Sequence, residues 1–141
     1  MNTKQLDSLE PSFKPLIVAL LAELKLRGIN CVVTSGRRTI AEQDTLYAQG
    51  RTTKGSIVTK AKGGQSPHNF GLAADLCPLD PSGNLWWSCP DDLWHVIKEL
   101  AEERGYLDSG YDWKFSDRPH CELKEWKETQ ALWKAGKIKI A

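Results

Sequence analysis

The sequence predicts an α+β domain, a small antiparallel sheet packed with helices. Three observations carry this. Amphipathic stretches and short β-branched runs are mixed along the 141 residues without the strand–helix–strand rhythm of a parallel sheet. The turn-forming "DPSG" at 80–83 separates two apolar runs, "LAADLCPL" and "NLWW", as in a hairpin. No repeat, low-complexity stretch or long linker divides the chain, so residues 1–141 read as one domain whose single core buries about two-thirds of the unfolded surface.

The elements follow in order. Ser12 is placed to cap a first helix running from Ser12 or Phe13 to Arg27, with Ile17, Leu20, Leu21 and Leu24 on one face and Gly28 as the stop. "INCVVTS", β-branched and short, reads as a buried strand. Thr39 and Glu42 form a capping box opening a short second helix that closes on Gly50. Residues 51–67, rich in Thr, Lys, Gly and Ser, make an exposed loop, and a loop of that length in a small domain is more often functional than idle. Ser88 and Asp91 stand in capping positions, with Pro90 in the first turn, for a helix that buries Leu93, Ile97 and Leu100 and ends at Gly105. "YDWKFSDRPHCEL" is strand-like at both ends, and an amphipathic segment from about Lys124 to Ala135 follows.

Composition excludes several function classes. Nineteen Lys+Arg against 18 Asp+Glu give a net charge of +1, which argues against electrostatic capture of nucleic acid or an anionic membrane. The first fifteen residues contain no apolar core of a secretory signal, and the run from Leu16 to Leu21 is far short of the ~20 residues that span a bilayer. The expectation is a soluble, monomeric protein made in a cytoplasm and not inserted in a membrane. None of the four cysteines lies in a C-x-x-C pair, so they read as reduced thiols in or near the core rather than a disulfide or Cys₄ zinc framework.

One residue breaks the apolar pattern. Asp75 sits between "LAA" and Leu76, and a buried carboxylate must be paired, hydrogen-bonded or metal-bound. Of the three histidines, His95 lies within a helix pattern without a partner at metal spacing and reads as an ordinary helix residue. His68 ends the Gly-rich loop, and His120 follows Pro119 at the start of a strand-like stretch. Two histidines on rigid edges and a strand carboxylate can converge on one metal, or can be satisfied structural residues; spacing leaves both readings open.

Three sequence blocks bear on that choice. "SPHNFGLAADL" at 66–76 resembles the S-x-H-x-x-G-x-A-x-D motif of D-alanyl-D-alanine carboxypeptidase and VanY-type zinc peptidases. "DRPHCE" at 117–122 is similar to their second motif, and "TSGRRTIAEQDTLYAQGRT" to the run that precedes the first zinc ligand. The blocks keep the family order from roughly Leu9 to Leu123, with the catalytic motifs within 34–123. The resemblance is closest to single-domain phage endolysins that cut between L-alanine and D-glutamate in peptidoglycan stem peptides.

This resemblance implies a Hedgehog/DD-peptidase-like fold and one zinc ion held by His68, Asp75 and His120, with water in the open position at a pKa near ~7. It implies Asp117 as the general base, at the position where carboxypeptidase members carry Glu, and Arg38 as the group that stabilises charge on the scissile carbonyl oxygen. Glu122 would orient His120. Ser66 would either bond the substrate or fix its loop, and Arg37 would meet the D-glutamate carboxylate. Trp113 is placed near the cleft because it precedes the catalytic block. Cys121 stands beside a ligand, but strand neighbours face opposite sides, which argues against a nucleophilic role. The expected partners are the stem peptide and, for access to the wall from the cytoplasm, a holin-type pore former. Two other readings remain: a D-Ala–D-Ala carboxypeptidase with the same metal site, and a zinc-stabilised binding module, against which Asp117 and Arg38 both argue.

Overall fold

Four short strands make one antiparallel sheet in the spatial order β1-β2-β4-β3. They are β1 (Cys31–Ser35), β2 (Ala73–Pro78), β3 (Leu107–Gly110) and β4 (Asp117–Leu123). Around them lie α1 (Lys4–Asp7), α2 (Lys14–Leu26), α3 (Ile40–Ala48), α4 (Asp91–Glu103) and α5 (Trp126–Lys134), and a one-turn 3₁₀ helix at Pro67–Phe70. The computed structural model describes residues 3–141.

The two central strands are those with the most apolar sequence. Five of the six residues of β2 are buried, as expected for a strand covered on both faces. One face of the sheet, with Leu76 and Cys121, joins a core built from Phe13, Ile17, Leu20 and Leu24 of the α2 region and Trp94, Ile97, Leu100 and Ala101 of α4. The other face carries Asp75 and His120, directly paired across the β2–β4 ladder. Side-chain alternation therefore fixes the division of labour: Ala74 and Cys121 form the next pair along and face the core side, while Asp75 and His120 face away from it.

The capping box of α3 forms as its sequence requires, with Thr39 Oγ1 accepting from the Glu42 amide at 3.1 Å and Glu42 Oε1 from the Thr39 amide at 2.9 Å. Elsewhere the structure corrects the sequence expectation. The turn at 80–83 forms, held by Asp80 Oδ1 accepting the amides of Ser82 and Asn84, but residues 84–87 add only a single bridge, Leu79 to Leu85. The return arm is short: the Asp80 amide donates to the Asn84 carbonyl at 2.8 Å and the Trp86 amide to the Pro78 carbonyl at 2.9 Å, while the Ala73–Asp75 part of β2 pairs with β4 instead. Phe13 and Pro90, not Ser12 and Ser88, flank the starts of α2 and α4, and neither start has a side-chain cap. Asp91 and Asp92 in the first turn of α4 supply instead the negative charge that its N-terminus favours. The short α1 and β3 carry too few residues to show periodicity.

All four thiols are free; Cys77, Cys89 and Cys121 are buried, and burial pushes the half-buried Cys31 thiol up to about 12. No helix among the described residues is long and apolar enough to cross a membrane. The long loop ends against α5, where Gly64 adopts a left-handed φ of +83° and a Cβ would lie 2.3 Å from Trp133 Cη2. Phe13 is fully buried at the centre of the α2 contact. Truncation by Phe13→Ala is expected to lower unfolding free energy by about 3–5 kcal/mol, read by urea denaturation at constant m-value.

Candidate metal centre

His68 reaches the site from the 3₁₀ turn, whose geometry is set by polar side chains before it. Ser66 Oγ accepts from the His68 amide at 3.2 Å, and Asn69 Oδ1 accepts from the amides of Gly64 and Ser66 at 2.9 and 3.3 Å. Gly71, at φ +70°, reverses the chain into β2, where a Cβ would meet Arg37 Nη2 at 2.5 Å. His68 is thereby held above the Asp75–His120 pair.

Three acceptor atoms converge there. His68 Nε2 and His120 Nδ1 each lie 3.4 Å from Asp75 Oδ1, and the two rings are 5.2 Å apart. The far nitrogen of each ring is committed elsewhere. His68 Nδ1 is 2.7 Å from the Gly36 carbonyl and His120 Nε2 is 2.8 Å from Glu122 Oε1, both of which only accept. Each neutral ring thus donates outward and turns a lone pair inward. Asp75 Oδ1 is buried and completes no hydrogen bond, although its side chain stands among polar groups. Two inward lone pairs and an unsatisfied carboxylate oxygen repel one another unless a cation lies between them. The three ligand atoms fall within 4.8 Å of one another, and two imidazoles with one carboxylate form the three-ligand set of a hydrolytic zinc site. The residues fit the metal.

The protonation behaviour has the same origin. Burial alone would raise the Asp75 carboxyl, but the adjacent His120 and His68 outweigh it and hold it well below its usual range. Burial likewise opposes a charged His120, yet Asp75 and Glu122 raise it to about 9. In a chelated protein, a proton on His120 would take the place of the cation.

A cleft of about 340 Å³ opens over these atoms, and Arg38, Ser66, Trp113, Asp117 and Glu122 line it with the three ligands. Arg38 Nη2 lies 3.4 Å from Asp75 Oδ2 and donates to Ser35 Oγ at 3.1 Å, while Nη1 donates to Gln43 Oε1 at 3.1 Å. Asp117 Oδ2 is 3.9 Å from His120 Nδ1. Its side chain is half exposed at the rim; partial burial raises its carboxyl, against the pull of His120. The Trp113 ring stands 5.0 Å from that of His120.

Among the remaining positions, Arg37 departs from expectation, while His95 and Cys121 stand as expected. Arg37 does not line this cleft: its Nε donates to the Ser8 carbonyl at 3.1 Å and its amide to Ser8 Oγ at 2.9 Å. The arginine ties the N-terminal segment down, because in the segment after β1 Arg37 and Arg38 point apart. His95 sits exposed on α4, 3.1 Å from Glu99. Cys121 is fully buried in the core, where burial pushes its thiol far up and keeps it inert.

Two residues without an assigned role in the sequence analysis hold the cleft together. Gln43 is fully buried; it accepts from Arg38 and donates through Nε2 to the Ala61 carbonyl at 2.9 Å, joining the long loop to the arginine. Asn69 Nδ2 donates to the Arg38 and Thr39 carbonyls at 3.1 and 3.2 Å. The signal for both was polarity where burial was expected: a Gln on the short helix beside the Arg block, and an Asn beside the loop histidine.

Two expectations follow. Gln43→Ala removes the acceptor of Arg38 Nη1 and leaves the Ala61 carbonyl without its donor, and should destabilise the fold by about 1–3 kcal/mol in chemical denaturation. For chelated protein, the raised His120 gives stability that is full below 6.5 and lost as pH rises through about 9, whereas the lowered Asp75 gives stability present above 3.8 and lost as pH falls. Melting temperature with a chelator should therefore peak between these limits and fall toward pH 9, and added zinc should abolish the alkaline fall.

The comparisons with known proteins agree with this geometry. A family model described as D-alanyl-D-alanine carboxypeptidase, of the M15 peptidases, matches residues 59–123. Over 125 residues the chain is 42% identical to the peptidoglycan L-alanyl-D-glutamate endopeptidase CwlK of Bacillus subtilis (strain 168), covering 83% of this chain and 74% of that protein. The fold is shared with the L-Ala D-Glu endopeptidase ChiX of Serratia marcescens, at a TM-score of 0.59 and 22% identity over 90% of this chain and 88% of that one. The D,D-pentapeptidase VanY from a VanB-type resistance cassette, solved with Zn(II), superposes at a TM-score of 0.60 and 16% identity over 91% and 79%. With this identity to CwlK over most of its length, and the family match spanning His68, Asp75 and His120, the chain belongs to the M15 metallopeptidases.

Proposed function

We propose that the protein hydrolyses the L-Ala–D-Glu bond of peptidoglycan stem peptides, with one zinc ion per chain. The observation that carries the hydrolytic reading is the unsatisfied Asp75 Oδ1, faced by two imidazole lone pairs beneath a cleft that Asp117 and Arg38 both line. The choice of bond is supported by the identity to CwlK, and by Asp117 where carboxypeptidase members carry Glu.

His68, Asp75 and His120 would hold the metal, which supplies Lewis acidity and brings the pKa of water to about 7. Gly36 and Glu122 keep the ligand rings in the tautomers that present their lone pairs. Asp117 takes a proton from the attacking water and delivers it to the departing D-Glu amine. Arg38, fixed through Ser35 and Gln43, offers its cation to the carbonyl oxygen as charge develops, a contribution typically worth about 2.7–4 kcal/mol of barrier.

The biological setting in this proposal is that of a phage endolysin. It acts as a monomer, is made in the host cytoplasm, reaches the wall after a holin-type partner opens the membrane, and lyses the cell. The support is the resemblance of the three sequence blocks to single-domain endolysins.

Mass spectrometry of stem peptides after incubation with zinc-loaded protein tests the reaction. A new N-terminal D-glutamate, absent with chelator and reduced about 10²–10⁴-fold in Asp117→Ala, is the expected result. Release of a terminal D-alanine instead would move the protein to the carboxypeptidase reading, and no cleavage at all would favour a binding module.

A further inference from the structure

Asp117 borders two openings. One is the cleft over the metal ligands; the other, about 410 Å³, is lined by Trp87, Trp94, Ser116, Arg118 and Pro119 as well. The first is a cleft and the second a shallower depression open to solvent. The second opening has an aromatic floor. The rings of Trp87 and Trp94 are stacked, 6.4 Å apart and 18° from parallel. Trp94 belongs to the core at 2% exposure, whereas Trp87 is 50% exposed. The inner indole therefore serves as backing, and the outer one presents a supported surface beside the general base.

The rim is polar and anchored. Arg118 Nη2 lies 3.3 Å from Asp91 Oδ1, and Asp91 Oδ2 accepts the Tyr111 hydroxyl at 2.5 Å. This pairing uses part of a five-donor guanidinium and leaves other N–H groups for a ligand. The floor and rim together suit a ring with an apolar C–H face and polar edges, since the negative face of an indole attracts C–H groups.

Substrate chemistry says which ring this is. In a stem peptide the L-Ala nitrogen is acylated by the lactyl group of N-acetylmuramic acid. Between the L-Ala–D-Glu bond and the sugar lie only L-Ala and that lactyl link, about 7 Å at the reach of an extended chain. An enzyme that cuts this bond in intact wall must seat a sugar next to its proton-transferring carboxylate. The catalytic cleft also presents Arg38, assigned above to the scissile carbonyl oxygen.

We infer that Trp87, backed by Trp94 and rimmed by Arg118, is a subsite for the N-acetylmuramic acid ring that bears the stem peptide, an inference that rests on the L-Ala–D-Glu reading above. The scissile bond then lies over the metal ligands with its sugar toward Trp87. Trp87 is a specificity residue: it sets how strongly the enzyme prefers wall-linked over free peptide.

The zinc-loaded full chain tests this with two substrates, N-acetylmuramoyl-L-Ala-D-Glu peptide and the same peptide carrying a simple N-acetyl group. Wild type should favour the first in kcat/KM by at least about tenfold, equivalent to about 1.4 kcal/mol. Trp87→Ala should bring that ratio close to one, and Trp87→Phe should retain most of it. A wild-type ratio near one, or a ratio unmoved by Trp87→Ala, overturns the subsite and leaves the bond assignment intact. If wild type cleaves neither substrate, tryptophan fluorescence titration with N-acetylmuramoyl-L-Ala decides. A saturable change lost in Trp87→Ala supports the subsite while the bond assignment fails, and no change overturns both.

Discussion

A carboxylate oxygen withheld from every hydrogen bond organises this molecule. Asp75 Oδ1 is buried, and both groups nearest to it are imidazoles whose far nitrogens are already committed. Because Asp75 and His120 are a direct antiparallel pair, the arrangement depends on sheet register. A one-residue slip of β4 would bring Cys121 or Pro119 to that face and send His120 toward the core. The apolar side of the sheet resists such a slip, since Cys121, Leu76 and the residues of α2 and α4 pack only in the present alternation. Core packing on one face thus keeps the candidate ligand atoms in place on the other.

The rest of the cleft is fastened to that pair by polar side chains rather than by regular structure. Arg38 is reached from four directions: Ser35, Gln43, Asp75 and, through its own carbonyl, Asn69. Its amide also donates to the His68 carbonyl at 2.9 Å, so the end of β1 and the 3₁₀ turn move as one body. A small domain with few long elements gains rigidity at the site in this way. The network is also why the long loop follows a defined path, with its middle held by Gln43 and its end by Asn69.

The fold class and the longer helices were legible because each has a period or a terminal signal longer than its noise: the apolar face of α2, the capping box of α3, the stripe of α4. The expected hairpin forms only in short form, with "NLWW" returning beside residues 78–80, because the Ala73–Asp75 edge of β2 pairs with β4, forty residues on, which local sequence cannot contain. The candidate metal ligands are visible through the one acidic residue in an apolar run, and the three-block resemblance points to the same three residues that the fold brings within 4.8 Å of one another. Arg37 shows the limit. Two adjacent arginines at a strand end have opposite directions, and sequence alone does not say which faces the metal. Gln43 and Asn69 drew no role because most of their partners are main-chain groups, which leave no mark on residue identity.

The ligand positions also carry a consequence for how the chain is made. His68 and Asp75 leave the ribosome together, but His120 follows only after β2 has been synthesised with its β4-facing edge bare. Until residues 117–123 arrive, a nascent chain has both an open central strand, which is a template for aggregation, and an incomplete ligand set. The same strand closes the edge and delivers the third ligand. A copy that stalls or is clipped before that point is therefore sticky and inert together, and solubility and hydrolytic competence begin in a single folding event.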